Sequence, residues 1–344
     1  MPDSSRRIKV AVVGLGYMGA THLKAWKQVP GAHVSTVVSS DAKKLAGDLT
    51  AIGGNLGGGA GEVMDFSSMR KYDSLETALR DQEIDVVDLC IPTDRHEKAA
   101  IAALRAGKHV LLEKPMAMDE TQAEAVLSEA HRSGRTLMVG HILRFIPAYA
   151  ALAGSLRTVG TVRSAFFRRR CGAPTWSRWL TDPARSGGGI FDLLIHDADY
   201  CLSCWGMPDS VRASGYQDLS RGVDVVHAEL RYRDVGPVII SGGWHHPEAY
   251  PFSMEFTVVT DTSTFEWSSG ATELQEYGCD GKAERHGLPD VDPFAAELAY
   301  FTHCVIESRP PERCLPEQSA QAVALMRRII ESRKRNGESV ACRI

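Results

Sequence analysis

The chain has 344 residues, of which 44% are hydrophobic and 24% are charged, and its formal net charge is -4. This length exceeds that of a typical single domain, so the sequence predicts two domains, each with its own core. The small negative charge argues against nucleic acid as a partner, and no apolar run is long enough to cross a membrane.

The first 140 residues alternate apolar runs, bounded by Gly or Pro, with amphipathic helical patterns. This alternation is typical of a doubly wound α/β domain, in which helices cover a parallel sheet. The predicted strands cover residues 8–13, 34–38, 86–91, 110–112 and 136–139. The predicted helices cover residues 18–28, 75–80, 96–106 and 120–133, with Gly107 and Gly134 at helix ends.

A glycine motif, Gly14-Leu15-Gly16-Tyr17-Met18-Gly19, follows the first strand and opens the first helix. The first glycine permits a tight turn, the second lets the backbone approach a pyrophosphate, and the third lets helix and strand pack closely. The helix N-terminus would then face the phosphates. The motif predicts a dinucleotide site that includes Tyr17 and Met18; the alternative is a simple strand-to-helix turn.

The end of the second strand bears on the choice of cofactor, because an acid there binds the ribose 2′-hydroxyl of NAD. Ser39 stands at that position, and the hydroxyls of Ser39 and Ser40 with the charge of Lys44 suit a 2′-phosphate. We therefore expect NADP as the favoured cofactor. The alternatives are that Asp41 reaches the ribose, which would permit NAD, or that Lys44 belongs to a solvated helix face.

Residues 53–61 contain too many glycines to continue a helix. We expect a mobile surface insertion. A phosphate-binding loop is the alternative, but the segment lacks the preceding strand and the Lys-Ser/Thr ending of a P-loop.

Glu113-Lys114-Pro115 follows the strand at residues 110–112, at the sheet edge where open parallel sheets bind ligands. The ammonium of Lys114 could donate a hydrogen bond to an alcohol oxygen and stabilise the negative charge that develops as a hydride departs. A structural loop residue is the alternative. Pro92, Thr93, His96, Glu113 and Lys114 complete the predicted cofactor-binding set.

After residue 147 the pattern changes to β-branched and aromatic strands at residues 162–170, 225–232, 238–244, 252–260 and 264–267. Helices are predicted at residues 292–308 and 316–335. We expect domains at 1–140 and 141–344, the second an α/β domain with a large, mainly antiparallel sheet. The last helix is a candidate to pack back on the first domain.

Three glycines at residues 187–189 lead into a predicted helix that carries Asp192 and His196 four residues apart, and so on one face. A histidine with a pKa near neutrality can take an alcohol proton, and the aspartate can orient it or relay the proton. The alternatives are a core histidine and an aspartate that only complements the helix dipole.

Together these segments resemble the Gfo/Idh/MocA family of glucose-fructose oxidoreductase, inositol dehydrogenase and their relatives. The similarity rests on residues 14–19, 106–115, 139–147 and 187–199 in order. It implies a Rossmann domain followed by an α/β domain whose open sheet makes a homodimer or homotetramer. It also implies catalytic positions at Lys114, Asp192 and His196 and a cis bond before Pro115. In NADP-preferring relatives the second strand ends similarly to Ser39, Ser40 and Lys44.

Aromatic and guanidinium groups suit hydroxylated rings, and they supply the candidates for substrate binding. These are Arg144, Tyr149, Arg168, Trp176, Arg178 and Trp244. The alternatives are an interface row of charge at Arg168 and core positions for the tryptophans. His245 and His246 are expected to point to opposite faces of a strand, so no metal is predicted.

The eight cysteines stand mostly singly in apolar segments, which is typical of reduced thiols in a cytoplasmic protein. We interpret the close pair Cys201 and Cys204 as small residues on a helix face. Gly14 and Gly16 interrupt the first apolar stretch, which argues against a secretion signal.

The predicted reaction is reversible hydride transfer between a nicotinamide cofactor and a secondary alcohol of a small sugar or polyol. His196 would act as acid and base, Lys114 would polarise the oxygen and Asp192 would support both. Two alternatives remain. One is an NAD-dependent glycoside hydrolase or lyase of the same family, and the other is a regulator that binds the cofactor without catalysis.

Overall fold

A computed structural model describes residues 7–54 and 61–342 of the chain. It divides into two compact units, the first formed by Met1–Ile142 with Val291–Ala320 and the second by Leu143–Asp290 with Gln321–Ile344. Residues 55–60, most of the predicted glycine-rich insertion, lie outside the described part. Within that part, no helix has both the length and the apolar character that crossing a membrane needs.

The elements follow in chain order. The strands are β1 Ile8–Val13, β2 Ala32–Val38, β3 Arg70–Tyr72, β4 Val86–Leu89, β5 His109–Glu113, β6 Leu137–Gly140, β7 Val162–Gly172, β8 Ser210–Asp218, β9 Val223–Arg231, β10 Val238–His246, β11 Ser253–Thr260, β12 Ser263–Ser268, β13 Glu273–Gly278, β14 Ala283–Gly287 and β15 Val340–Ala341. The α-helices are α1 Tyr17–Trp26, α2 Ala42–Leu45, α3 Leu75–Ala78, α4 His96–Arg105, α5 Glu120–Ser133, α6 Pro147–Ser155, α7 Pro183–Ser186, α8 Gly189–Trp205, α9 Pro293–Ile306 and α10 Pro316–Lys334.

The first unit contains a six-stranded sheet in the order β3-β2-β1-β4-β5-β6. Its strand pairs are all parallel. Strand β4 is buried along its whole length, as expected for a strand covered on both faces. The strand order reverses between β1 and β4, so ligands are expected at the carboxyl ends of these strands. The doubly wound fold predicted for this part is confirmed.

The second unit contains a nine-stranded sheet in the order β14-β13-β12-β11-β7-β10-β9-β8-β15. The pair β7 and β10 is parallel, and the other pairs are antiparallel. Helix α8 packs on β7, β9 and β10. Along the strands buried residues such as Val211 alternate with exposed ones such as Tyr216, so one face is buried and the other is open. The predicted antiparallel sheet is confirmed.

Candidate active site

The loop between β1 and α1 has the glycine geometry that a dinucleotide site needs. Gly14 has a φ of 94°, and a Cβ on it would lie 2.3 Å from the carbonyl oxygen of Cys90. A Cβ on Gly19 would lie 1.9 Å from the carbonyl oxygen of Gly14. A Cβ on Gly16 would instead meet no described atom within 4 Å. Two glycines are therefore required by the fold, and the third leaves room for a ligand.

The start of α1 suits an anion. Its N-cap residue, Gly16, forms no side-chain cap, and the first turn contains no acidic residue. Amide groups at a helix start and the helix dipole both favour a phosphate. Tyr17 and Met18, the next two residues, are partly accessible. The loop therefore fits the pyrophosphate of a dinucleotide.

The acidic residue just after β2, Asp41, already forms hydrogen bonds within the protein. Asp41 is the N-cap of α2, and its Oδ1 accepts hydrogen bonds from the backbone N–H groups of Lys43 at 2.9 Å and Lys44 at 3.4 Å. The hydroxyl of Ser39 accepts the Asp41 N–H at 3.2 Å. Ser40 is exposed and Lys44 is partly exposed. The carboxylate nearest the strand end is thus bound to a helix start, while hydroxyl and ammonium groups remain accessible.

Lys114 follows β5 at the carboxyl edge of the six-stranded sheet, and it is partly accessible. Its backbone N–H donates to Oε2 of the buried Glu113 at 3.2 Å. The bond between Lys114 and Pro115 is cis, as the family resemblance implies. The structure therefore places Lys114 at the sheet edge where the sequence predicts it.

His96 links two loops at this edge. Its Nδ1 lies 2.6 Å from the carbonyl oxygen of Pro115, and its Nε2 lies 2.8 Å from that of Ile91. Burial lowers the pKa of His96, and a neutral imidazole can donate to only one of the two oxygens. Thr93 is also buried, and Pro92 is partly accessible. Both nitrogens of His96 thus face protein oxygens and hold the loops after β4 and β5.

A buried network of polar side chains lies within the first unit, and no motif in the sequence predicts it. His22 Nδ1 lies 2.9 Å from Asp88 Oδ2, and His22 Nε2 lies 3.1 Å from Glu113 Oε1. Trp26 Nε1 donates to Asp88 Oδ2 at 2.8 Å. Burial lowers the pKa of His22, but the charge and hydrogen bonds of Asp88 and Cys90 outweigh burial and hold it well above its ordinary value. His22 therefore lies between two carboxylates, one of which belongs to the residue before Lys114.

Helix α8 presents two polar side chains from an otherwise buried segment. Between Gly189 and Leu202 every residue except Asp192 and His196 is buried. These two lie one turn apart, so they open on the same side of the helix. The structure therefore brings Asp192 and His196 together within the second unit, while Lys114 belongs to the first.

The other charges on α8 are paired below the surface. Arg169 forms two hydrogen bonds with Asp197, at 2.7 and 3.2 Å. Arg144 forms two with Asp199, at 2.8 and 2.6 Å. Both members of each pair are buried, and because they bond to each other, neither charge is left uncompensated. These aspartates hold the helix in place, whereas Asp192 and His196 are partly accessible.

The predicted substrate-binding residues fall into two groups in the second unit. Arg144, Tyr149 and Trp244 are buried: Arg144 pairs with Asp199, Tyr149 packs against Tyr200, Phe256 and Trp267, and Trp244 joins a core cluster with Cys171 and Leu193. Trp176 and Arg178 are exposed, and Arg168 forms an ion pair with Glu255. The accessible members lie before α7 and on β7.

One expectation about β10 is wrong. The rings of His245 and His246 do not point apart: their centroids lie 4.2 Å from each other. The reason is an irregularity in the pairing of β10 with β7, where Trp244 and His246 oppose consecutive residues and His245 is the extra residue. Simple alternation therefore fails at this point.

In the described part there are two groups of side chains in which three possible metal ligands lie within 4.8 Å of one another. They are His22 with Asp88 and Cys90, and Glu276 with Glu284 and His286. In each group a ring nitrogen of the histidine is hydrogen-bonded to a carboxylate oxygen, at 2.9 Å in the first group and 2.7 Å in the second. Hydrogen bonding accounts for both arrangements.

Two family models match successive parts of the chain. The family model described as the oxidoreductase family with an NAD-binding Rossmann fold, Gfo/Idh/MocA, matches residues 8–141. The model of the Gfo/Idh/MocA C-terminal domain matches residues 153–266.

Two relatives and one solved structure illustrate the similarity. The 4-carboxy-2-hydroxymuconate-6-semialdehyde dehydrogenase of Sphingobium sp. is 32% identical over 47% of this chain, a match that spans about half (49%) of that relative. The scyllo-inositol 2-dehydrogenase (NADP(+)) of Bacillus subtilis is 24% identical over 94% of this chain and 86% of the relative. The aldose-aldose oxidoreductase of Caulobacter crescentus, complexed with glycerol, has the same fold, with a TM-score of 0.82 and 19% identity over 98% of this chain and all (100%) of the other.

The two relatives are named as dehydrogenases and the solved structure as an oxidoreductase, and that structure has the fold described above. Both family models match in the expected order along the chain. The protein belongs to the Gfo/Idh/MocA family of NAD(P)-dependent oxidoreductases.

Proposed function

We propose that the protein catalyses the reversible oxidation of a secondary alcohol of a sugar or polyol. The observation that carries the proposal is the pair Asp192 and His196, which are partly accessible on one side of a helix that is otherwise buried from Gly189 to Leu202. A nicotinamide cofactor, when bound, supplies the acceptor for the hydride. The glycine loop and the start of α1 support the binding of that cofactor.

Three side chains of the protein are proposed to transfer the proton and to stabilise the substrate oxygen. A ring nitrogen of His196 takes the hydroxyl proton during oxidation and returns it during reduction. The ammonium of Lys114 donates a hydrogen bond to the substrate oxygen and stabilises its negative charge. Asp192, one turn before His196, orients the imidazole or passes the proton on.

NADP is the proposed cofactor, with NAD as the alternative. Asp41 is the residue that an NAD site would use, but its carboxylate already accepts two backbone N–H groups at the start of α2. The hydroxyls of Ser39 and Ser40 and the ammonium of Lys44 suit a 2′-phosphate. The other proposed cofactor-binding residues are Gly14, Gly16, Tyr17, Met18, Gly19, Pro92, Thr93, Glu113 and Lys114. His96 is buried with both ring nitrogens on backbone oxygens, so we propose that it acts only by holding the loops after β4 and β5.

The substrate class rests on the relatives, two of which are named for an inositol and an aldose. Trp176 and Arg178, which are exposed, remain the proposed substrate-binding residues. Arg144 and Tyr149 are buried in the core, and Arg168 lies on the sheet face away from α8, so we no longer propose these three. We also propose that the protein is a cytoplasmic homodimer or homotetramer whose partners are small molecules. All eight cysteines lie in the described part, and each is a free thiol there.

Thermal-shift measurements with NAD and NADP test the cofactor. NADP is expected to raise the melting temperature more, since ligand at about 100 times its Kd adds about 2.7 kcal/mol to the free energy of unfolding. Ser39→Asp is the matched variant: its carboxylate repels a 2′-phosphate and should reverse the order of the two cofactors. A melting temperature that neither cofactor changes would contradict the proposal.

A panel of polyols, aldoses and ketoses, followed by NADPH absorbance, tests the reaction. Lys114→Ala and His196→Ala are each expected to lower kcat by about 100-fold or more. Unchanged turnover in both variants overturns the assignment. Glycoside cleavage without net change in NADPH would indicate the hydrolase alternative. Cofactor binding without turnover of any compound would indicate the regulator.

A further inference from the structure

Helix α8 begins without a capping side chain of its own. It follows Gly187 and Gly188, and its N-cap, Gly188, forms no side-chain hydrogen bond. The first N–H groups of a buried helix need acceptors from elsewhere. Asp224, a fully buried residue of β9, supplies one: its Oδ2 accepts the backbone N–H of Ile190 at 3.1 Å.

The charge of Asp224 is balanced by a residue much later in the chain. Arg333 of α10 donates from Nη1 to Asp224 Oδ1 at 2.6 Å and to the carbonyl oxygen of Val225 at 3.3 Å. The side chain of Arg333 is 7% exposed and that of Asp224 is 0% exposed. Because an unpaired buried charge is costly, each residue requires the other. The pair joins α10 and β9 to the start of α8.

The packing around the glycines leaves this start little freedom to move. A Cβ on Gly188, where φ is 94°, would lie 2.9 Å from Asp224 Oδ2. A Cβ on Gly189 would lie 2.5 Å from the ring of Trp244. The glycines therefore allow the backbone to approach Asp224 and Trp244 directly, and contacts on two sides fix where the helix begins.

We propose that Asp224 and Arg333 are positioning residues that set the placement of Asp192 and His196 by fixing the start of α8. The Asp192 N–H donates to the Gly188 carbonyl oxygen at 3.0 Å, so Asp192 lies in the turn that this contact anchors. His196 follows one turn later, and a displacement at the start moves both side chains. This inference rests on the proposed function, in which those two residues act on the substrate.

Asp224→Asn tests the charge with little change in shape. Hydrogen exchange is expected to quicken at the amides of residues 190–196. In the same variant kcat should fall by about tenfold to 100-fold, the range expected when catalytic groups are misplaced by up to about 1 Å. The KM for NADP should change by less than about twofold, because the glycine loop belongs to the first unit.

Variants of Arg333 provide a second test of the proposal. Arg333→Met leaves Asp224 charged and buried, so it should lower the melting temperature more than Asp224→Asn does. Arg333→Lys keeps the charge and should recover most of kcat. In the double variant Asp224→Asn with Arg333→Met, charge balance returns, so the melting temperature should rise above that of Arg333→Met while kcat stays low. This separation distinguishes positioning from general stability.

Arg335→Met is the matched control, because Arg335 directly follows the same helix and pairs with Glu331 on it, but its side chain is 55% exposed. It is expected to leave exchange and kcat unchanged. Unchanged exchange at residues 190–196 in Asp224→Asn would overturn the inference, and so would faster exchange with normal kcat. If the wild-type protein turns over no compound of the panel, the proposed function fails, and exchange still decides whether Asp224 fixes the helix.

Discussion

His22 is a buried histidine whose pKa is raised by its neighbours in the fold. Its imidazole is fully buried and lies against Asp88 and Glu113, and its pKa is held well above 6.5. A group whose pKa is raised on folding stabilises the folded state fully below its unfolded pKa, and the contribution is lost as pH rises through the folded pKa. His22 therefore stabilises the protein most in the acidic to neutral range.

The prediction concerns His22→Gln. At about pH 6 we expect this variant to lose about 3 kcal/mol of the free energy of unfolding, as when one partner of a buried pair is removed. The difference from wild type should shrink as pH rises towards and past the folded pKa of His22, as measured by urea denaturation across pH. A difference that grows with pH would show that His22 is neutral in the folded protein. His131→Gln, which removes an exposed ion pair with Glu317, is the control and should have little effect.

At the scale of single residues, the sequence predicts those functional residues that a pattern among their neighbours in the chain marks. Lys114 follows a strand, and Asp192 and His196 share a helical spacing. By contrast, His22 meets Asp88 across 66 residues, and Arg333 meets Asp224 across 109. No local pattern marks such partners, because the contacts exist only once the strands and helices have packed. The nearest signal for His22 is its position three residues after Gly19.

At the scale of elements, the glycines of the loop between β1 and α1 have two different roles. Gly19 is needed for packing, and Gly16 leaves room for the cofactor. Gly19→Ala places a Cβ 1.9 Å from a backbone oxygen, so it should destabilise the protein by about 1–3 kcal/mol, as overpacking does. Gly16→Ala meets no described atom within 4 Å and should preserve the melting temperature. It should instead weaken NADP binding by about tenfold, which is about 1.4 kcal/mol.

Thermal melting without cofactor and fluorescence titration with NADPH measure the two effects separately. Gly134→Ala serves as a control for a residue that ends a helix with φ of 64°, because it lies away from the loop and should cost stability without changing the affinity. Equal losses of affinity and stability in both loop variants would contradict the division of roles.

The elements that the sequence predicts are those with strong apolar patterns. Strand β1 has the predicted bounds, and β2, β4, β5 and β6 differ from prediction by one or two residues at their ends. Strands β3, β8, β13, β14 and β15 were missed. Strands β3 and β14 show one reason. They contain Arg-Lys-Tyr and Ala-Glu-Arg-His-Gly and are mostly or wholly exposed at sheet edges, so no alternation of apolar residues marks them.

At the scale of the whole molecule, the open face of the nine-stranded sheet is the basis of the proposed oligomer. Tyr216 on β8 is 57% exposed and Tyr277 on β13 is 45% exposed, and the strand register places both on the face away from α8. Exposed aromatic residues are typical of surfaces that bind another protein. Tyr216→Glu with Tyr277→Glu is expected to shift the protein towards the monomer mass in light scattering.

Val63→Glu provides the comparison, since Val63 is 72% exposed but belongs to the first unit. It should leave the mass of the assembly unchanged. A wild-type protein that remains a monomer at every concentration would refute the proposed oligomer without affecting the proposed reaction.

The burial of α8 also constrains how this protein can evolve. Nearly every position from Gly189 to Leu202 contacts the core, so most single substitutions there cost stability before they can alter selectivity. The exposed loop that carries Trp176 and Arg178 has no such constraint. In a library of single variants, residues 189–202 should tolerate few changes, and new substrate preferences should arise chiefly in that loop.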